Sequence, residues 1–395
     1  MGVQSTENVE NFHQSALFDL SGDVLEAVIT KVPTVDLIPA SRVSREWYLA
    51  VHSSLRHHPR RLPWLLLCHY LPPNNLCFAI HAFDPLYRTW LSIPRRPFSC
   101  APLNHVPARL LSGSNGDRLH ALSMSNMAIS EDPFGARWRM NAEPPKVWRQ
   151  DAVLAEVGQW VVIAGGGCFI PLYDDEEVRS VEVYDRSTGT WKLAETMPVQ
   201  FDGSTSATWL SVAASDERLF VMERKTGLVS WFNPKYRNWG PTCQLKSCHD
   251  VSSWAIAVGC PKTLLVVGVE AMHNSKLSVR IWEVDVENLQ VVDNKCEEMP
   301  MEMAKQLFLD NVGDDDEWRG CMVEVCGTER GGYVYNPSEM RNGAVFYELE
   351  DVEDGKVVRR WEWVPLPESI GDNLMGRIEV GCSKVDLSDL SSLSL

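Results

Sequence analysis

Five times along the chain an Asp or Asn stands six residues ahead of a position that is Trp in four of the five cases. The pairs are Asp84 and Trp90, Asp132 and Trp138, Asp185 and Trp191, Asn233 and Trp239, and Asp285 with Val291, where the Trp is replaced. Successive second members lie 48, 53, 48 and 52 residues apart. Self-similarity at such a period means one supersecondary unit used repeatedly, and it constrains the fold more than any single segment does.

Each copy has the same surroundings. An apolar run rich in β-branched or aromatic residues precedes the Asp or Asn: FAIHAF, MAIS, VEVY, LVSWF and SVRIWEV. A proline follows the Trp position within ten residues, at Pro94, Pro144, Pro198, Pro241 and Pro300. Two more strand-like runs lie upstream, such as AVLAEV and WVVIAGG. Four short strands in a unit of about fifty residues mark a propeller blade. The Asp or Asn side chain caps its own turn. The Trp then opens the last strand with a ring large enough to pack between blades. Gly165, Gly166 and Gly167 end a strand where backbones approach closely and no Cβ fits.

A sixth unit, from CMVEVCGT to the run around Trp361 and Trp363, is longer and less regular. The first unit is one strand short, and GRIEVGCSKV near the C-terminus can supply it, closing the ring and leaving no open edge. The expected blades span 62–95, 107–145, 151–198, 205–245, 252–300 and 319–367, with a closing strand at 375–385. Residues 1–16 and 386–395 read as disordered tails around an α-module at 17–61 and a propeller at 62–385.

This pattern resembles kelch repeats. The third unit matches best, with Gly165-Gly166, Tyr184-Asp185 and Trp191 in that family's order and spacing. Other units keep the Trp but replace the Gly doublet, by Leu122-Ser123 in the second and Met222-Glu223 in the fourth. The expected fold class is therefore mainly β: a six-bladed kelch-type β-propeller preceded by a small all-α module.

In that module Ser21 can cap a helix that carries Asp23 in its first turn. Val24, Leu25, Val28, Ile29 and Val32 form an apolar stripe at helical spacing, and Pro33 is expected to stop it. A second helix is expected to put Leu37, Ala40, Ser44, Trp47 and Val51 on one face. About forty residues bury little apolar surface alone, so these stripes call for a partner. The segment resembles an F-box in Leu20, Asp23-Val24-Leu25, Ile29, Val32-Pro33, Leu37, Arg42-Val43-Ser44 and Trp47. It departs from many F-boxes in having Ser21 where a Pro commonly follows the first Leu.

F-box first and kelch propeller second is the layout of plant F-box/kelch-repeat proteins, and the resemblance covers roughly residues 17–385. It implies a non-catalytic substrate receptor of an SCF-type ubiquitin ligase. The F-box would bind a Skp1-like protein, and through it cullin, by Leu20, Val24, Leu25, Ile29, Pro33, Leu37, Val43 and Trp47. The propeller would recruit a protein substrate for ubiquitination and degradation. Some family members act on enzymes of phenylpropanoid and flavonoid metabolism. No cofactor is implied, and the ubiquitin-transferring cysteine would belong to another protein.

Charge narrows the partners. Of the net −16, residues 1–16 carry −2 and 17–61 carry +1, leaving −15 on the rest. An acidic domain suits neither phosphate backbones nor anionic membranes, so neither nucleic acid nor membrane is expected as a partner. Two acidic runs, Asp174-Asp175-Glu176-Glu177 and Asp314-Asp315-Asp316-Glu317, follow a second and a fourth strand of their blades. Strand alternation puts both on one face, where they are candidates for receiving a basic substrate surface. Eleven cysteines without a disulfide framework, and a polar, acidic N-terminus, fit the cytoplasm or nucleus. Gly2 and Thr6 match the loose pattern for myristoylation, but no polybasic cluster follows to make a second anchor.

Two other readings remain open on residues alone. Kelch-type propellers also occur in metal-dependent enzymes, which need a cage of His, Tyr, Cys, Asp or Glu from several blades. Here His69, His81, His105, His120, His249 and His273 fall at no common repeat position, so no metal ligand is assigned. A structural kelch scaffold would have no use for the F-box.

Overall fold

The computed structural model describes residues 22–71, 77–97, 109–112, 118–122, 127–141, 144–147, 149, 151–166, 178–245, 251–260, 263–272, 276–309, 321–352, 355–371 and 378–393. The chain divides into two compact units, Met1–Arg60 and Arg61–Leu395.

The first unit is helical: α1 (Gly22–Ile29), a 3-10 turn at Thr34–Asp36, α2 (Leu37–Ser41) and α3 (Arg45–His57). Leu25 and Ile29 of α1, Leu37, Ile38 and Ala40 of α2 and Val51 of α3 are buried. Glu26 ties α1 to α3, accepting from Ser53 Oγ and from His57 Nδ1, each at 2.8 Å. Arg60 fastens the end of α1 by donating to the carbonyls of Ile29 and Val32 at 3.5 and 2.5 Å and to Thr34 Oγ1 at 2.8 Å. Those carbonyls belong to the helix end and the turn behind it, where backbone acceptors lack intrahelical donors.

Two local expectations need correction. The apolar positions 37–51 do not form one helix. Ser44 is extended (φ −157°, ψ 171°), and its Oγ accepts from Trp47 N at 3.2 Å, so it caps a new helix instead of continuing the old one. Nor does Pro33 stop α1, which gives way at Ile29 to turns bonded from Lys31 N to Val28 O and Val32 N to Ile29 O.

The second unit is a ring of six antiparallel sheets. The first blade holds β1 (Trp64–Leu71), β2 (Cys77–Asp84) and β3 (Thr89–Pro97), and the second β4 (Arg109–Ser112), β5 (Leu119–Leu122), β6 (Met127–Ser130) and β7 (Trp138–Asn141). The third has β8 (Val153–Val157), β9 (Trp160–Ala164), β10 (Val181–Asp185) and β11 (Thr190–Leu193). The fourth has β12 (Leu210–Ala214), β13 (Leu219–Glu223), β14 (Leu228–Asn233), β15 (Asn238–Trp239) and β16 (Cys243–Gln244). The fifth has β17 (Val251–Cys260), β18 (Thr263–Met272), β19 (Lys276–Asp285) and β20 (Val291–Glu298). The sixth has β21 (Glu324–Thr328), β22 (Gly331–Tyr335), β23 (Ala344–Val352) and β24 (Gly355–Val364). The last strand, β25 (Ile378–Ser383), pairs with β1 and completes the first blade in the order β25-β1-β2-β3. The fourth blade has a feature the repeat did not announce: β14 pairs with β15 at Phe232 and Asn233, and with β16 at Leu228 and Val229.

Because each strand alternates faces, both faces of each blade are covered by its neighbours, and the core is a series of layers between blades. Between the fifth and sixth blades, Leu265, Val267, Val279 and Ile281 pack with Val325, Val345 and Tyr347. Helix α4 (Met301–Leu307) adds Ala304 and Leu307 to that layer. Between the sixth and first blades, Tyr333 and Phe346 pack with Leu65, Leu67 and Phe83.

The C-terminal segment is not a disordered tail. A short helix, α5 (Glu368–Gly371), precedes β25, and α6 (Leu387–Ser391) follows it. Asp386 Oδ1 accepts from Ser388 N and Asp389 N at 2.8 and 3.1 Å, while Asp389 Oδ2 accepts from Asp386 N at 3.0 Å. That reciprocal capping box, with Leu390 buried, orders the segment. The tail expected at 1–16 lies outside the described residues.

Candidate functional site

The repeat residues build one device several times over. In four turns the Asp or Asn side chain accepts from backbone N–H groups two and three residues on, or two on alone. Asp84 Oδ1 takes Leu86 and Tyr87, Asp185 Oδ1 takes Ser187, Asn233 Oδ1 takes Lys235 and Tyr236, and Asp285 Oδ1 takes Glu287 and Asn288. The residue four places on is left-handed, as Arg88 (φ 57°), Gly189 (φ 71°), Arg237 (φ 58°) and Leu289 (φ 54°), and its N–H returns to the carbonyl of the Asp or Asn. A glycine relieves this conformation only in the third blade, and elsewhere the capped turn imposes it.

The Trp then faces the residue just before the Asp or Asn across the hairpin. Phe83–Trp90, Tyr184–Trp191 and Phe232–Trp239 each have ring centroids 5.2 Å apart, tilted by 50°, 46° and 53°. Such tilted aromatic pairs add to the burial of the rings themselves. Two of the indoles also reach the preceding blade: Trp90 Nε1 donates to Pro365 O at 3.1 Å, and Trp239 Nε1 to Glu195 O at 3.2 Å. The second blade keeps the six-residue spacing but not the register. Asp132 takes Phe134, Ala136 and Arg137 N–H groups at 2.9 Å each, so the turn is wider, Trp138 faces Ser130, and its Nε1 bonds Gly135 O.

Gly165 and Gly166 are both left-handed (φ 64° and 67°). A Cβ on Gly165 would lie 2.0 Å from Thr205 O, and one on Gly166 would lie 2.3 Å from Ala152 N. Beside them is a feature the sequence reading missed. Arg149 is buried, donating to Gly165 O and Ser180 O at 2.8 and 2.7 Å and to Glu182 Oε2 at 3.3 Å. Glu182 in turn accepts from Lys146 N and Val147 N. Burial pulls the Arg149 guanidinium below its ordinary value, and the Glu182 charge and hydrogen bond oppose that. No local motif announces a pair 33 residues apart, but an Arg ahead of an apolar strand that contains a lone Glu was the available signal.

In the helical unit the residues expected to bind a partner fall into two sets. Leu25, Ile29 and Leu37 are 1%, 0% and 0% exposed and form the unit's own core. Val24 and Val43 are 62% and 63% exposed, and Pro33 and Trp47 are half-buried. Leu20 lies outside the described residues. Val28 and Leu49, at 41% and 56%, join the exposed apolar group, and neither is among the partner-binding positions that the family resemblance implies. Val24 and Val28 are one helical turn apart and so share a face of α1.

Both acidic runs, Asp174 to Glu177 and Asp314 to Glu317, lie outside the described residues. Where the first strands of the blades converge, the mouth of the central channel is a cavity of about 680 Å³ lined by Asp151, Thr208, Arg224, Met322, Glu339 and Arg341 among others. Its charged groups are paired: Arg224 with Glu324, Arg341 with Glu339 at 2.7 Å, and Asp151 with the Thr208 hydroxyl at 2.5 Å. Among the described residues no three His, Cys, Asp or Glu side chains are grouped to hold a metal ion. Of the histidines, His81 shares a hydrogen bond with Ser92 Oγ, and His120 with Glu156 Oε1. No described helix is long and apolar enough to cross a membrane.

A small helical unit ahead of a six-bladed ring, five of whose blades carry the Asp or Asn turn and four of those the Trp, defines an F-box protein with a kelch-type propeller. Residues 17–59 match the F-box domain family. Over 381 residues the chain is 30% identical to F-box/kelch-repeat protein At1g23390 of Arabidopsis thaliana, covering 94% of this chain and 91% of that protein. The chain belongs to the F-box/kelch-repeat protein family. Among solved structures, Hsv2 of Kluyveromyces lactis is 12% identical with a TM-score of 0.38, covering 73% of this chain and 83% of that one. Kluyveromyces marxianus Hsv2 is 9% identical with a TM-score of 0.39 at the same coverage.

Proposed function

We propose that this protein is the substrate-recognition subunit of an SCF-type ubiquitin ligase, acting without catalytic chemistry of its own. The F-box binds a Skp1-like protein, and through it cullin, while the propeller holds a protein substrate. The observation that carries the reading is the division of apolar residues in the helical unit. Its core is filled by Leu25, Ile29, Leu37 and Val51, yet Val24, Val28, Val43 and Leu49 remain exposed. Exposed apolar groups on a small folded unit mark a surface that another protein covers.

The work done is proximity. Holding substrate beside a ubiquitin-charged enzyme raises its effective concentration, so no nucleophile is needed in this chain. The channel mouth, together with the two acidic runs read from the sequence, is the surface we assign to substrate. Resemblance to the family suggests enzymes of phenylpropanoid or flavonoid metabolism as the substrate class, and the cytoplasm or nucleus as the place of action.

Substrate trapping tests this. A full-length Val24→Asp/Leu49→Asp variant should fold, fail to engage Skp1 and accumulate bound substrate, whereas the wild type should deplete it. Proximity labelling with both forms should enrich the same proteins, at higher levels with the variant. Equal steady-state levels of every captured protein would contradict a role in degradation.

A further inference from the structure

A cavity of about 380 Å³ opens between the second and third blades, away from the channel mouth. Its residues come from loops and turns joining first to second and third to fourth strands: Arg118 leads into β5, Glu131 and Arg139 flank the β6–β7 turn, and Arg186 begins the β10–β11 turn. The mouth is built from the loops of the other face. The cavity is therefore a separate site.

Its charge runs against the molecule. Three guanidinium groups and one carboxylate line it, in a chain whose net charge is −16. Arg118 makes no ion pair or hydrogen bond with a described residue. Arg139 is 83% exposed and only 3.9 Å from Glu131, a loose pair. Arg186 is positioned from beneath. Its Nη1 lies 3.5 Å from Glu156 Oε2, and Glu156 Oε1 is 3.0 Å from Nε2 of the buried His120. Burial alone would push the Glu156 carboxyl up, but the His120 bond and the His120, Arg186 and Arg118 charges outweigh it and hold it low. The rest of the wall is Ser130, Ile129 and the ring of Tyr184, which Trp191 fixes at 5.2 Å. The volume falls in the range of small-ligand sites.

We propose that this interblade cavity binds an organic phosphomonoester, with Arg118, Arg139 and Arg186 receiving the dianionic head and Ile129 and Tyr184 its apolar body. Among the described residues three guanidinium groups face the Glu131 and Glu156 carboxylates, leaving one positive charge in excess to attract an anion, and planar guanidinium forks suit phosphoryl oxygens better than ammonium groups do. The same chemistry arises from a free metabolite and from a phosphorylated side chain of a bound protein. The site would make the propeller responsive to phosphate independently of what the F-box binds.

Titration of the full-length chain, by calorimetry and phosphorus NMR, with phenyl phosphate and with N-acetyl-phosphoserine amide tests the proposal. Saturable binding is expected at pH 7.5, at least tenfold weaker in Arg118→Gln, and weaker again at pH 5, where the head keeps one charge because its second pKa is about 6. Arg330→Gln, which removes an exposed pair with Asp351 in the sixth blade, should bind as the wild type does. Tighter binding of phenyl phosphate supports a free aromatic phosphoester, and tighter binding of the phosphoserine amide supports a phosphorylated side chain. Saturable binding of neither compound, or full affinity in both Arg118→Gln and Arg139→Gln, would overturn the proposal. Arg139 is solvent-facing and Arg118 half-buried, and unchanged circular dichroism verifies that the variants fold.

Discussion

Trp90 Nε1 donates to the carbonyl of Pro365 at 3.1 Å, joining residues 275 positions apart in sequence. The bond crosses from the first blade to the end of the sixth. A second bond, from the Tyr333 hydroxyl to Pro63 O at 2.7 Å, crosses the same junction, and β25 supplies the strand that the first blade lacks. One repeat residue thus serves both its own hairpin and the closure of the ring.

Replacing Trp90 should loosen that closure. Trp90→Ala removes a half-buried ring and should lower stability by about 2 kcal/mol, below the range for fully buried tryptophans. Trp90→Phe keeps a ring against Phe83 but loses the N–H, at a cost of about 1 kcal/mol. Urea unfolding of the full chain checks both, and an unchanged stability in Trp90→Phe would show that the bond to Pro365 contributes nothing.

Two left-handed glycines should respond differently. Gly22 has φ 56° and nothing within 4 Å of an added Cβ, so Gly22→Ala should cost only the conformational penalty of about 1–2 kcal/mol. At Gly166 the added Cβ would meet Ala152 N at 2.3 Å, and backbone must move. Gly166→Ala should cost more than about 3 kcal/mol. Thermal unfolding of the two variants gives the comparison.

The Arg149–Glu182 pair has both side chains fully buried at 3.3 Å. Removing one partner strands the other, so Glu182→Ala should cost about 3–5 kcal/mol. The double variant Arg149→Met/Glu182→Leu should recover part of that loss, and a double-mutant cycle measures the coupling.

Asp389 carries a pH dependence of definite sign. Burial raises its pKa to about 6, the Asp386 N–H bond opposes that, and the Asp386 charge adds to it. A carboxyl raised in the folded state favours the protonated form. Its contribution to stability is complete below the unfolded value near 4 and is lost as pH rises through about 6. Asp389→Asn keeps an acceptor for the cap and should remove this dependence, stabilising the chain at pH 7.5 by about 1 kcal/mol after allowance for solvent screening, and little at pH 4. Stability curves at the two pH values decide it.

The fold was legible because its signal is local and repeated. An Asx turn needs only one side chain and the next few N–H groups, so Asp84, Asp185, Asn233 and Asp285 announce it in sequence, and the following Trp fixes the hairpin register. The wider turn at Asp132 was hidden because the six-residue spacing survives while the pairing slides by one residue. At Ser44 a cap interrupts an apolar stripe that periodicity alone reads as continuous, although Ser44 with Glu46 in the first turn is itself a start signal. Asp386-Leu387-Ser388-Asp389 is likewise a capping box, overlooked because the segment is short and polar. The interblade arginines could not be grouped from sequence. Arg118, Arg139 and Arg186 meet only when neighbouring blades pack, and spacing along the chain carries no trace of that.

The central claim is that the exposed apolar residues of the F-box, not its buried ones, receive a partner. The direct measurement is the affinity of the full-length chain for a Skp1-like protein, with circular dichroism on each variant. Val24→Asp and Leu49→Asp should each weaken binding at least tenfold while leaving helicity and unfolding unchanged, whereas Leu25→Ala should weaken it only in step with lost helicity. Full affinity in a Val24→Asp/Leu49→Asp protein, or no measurable affinity in the wild type, would contradict the account.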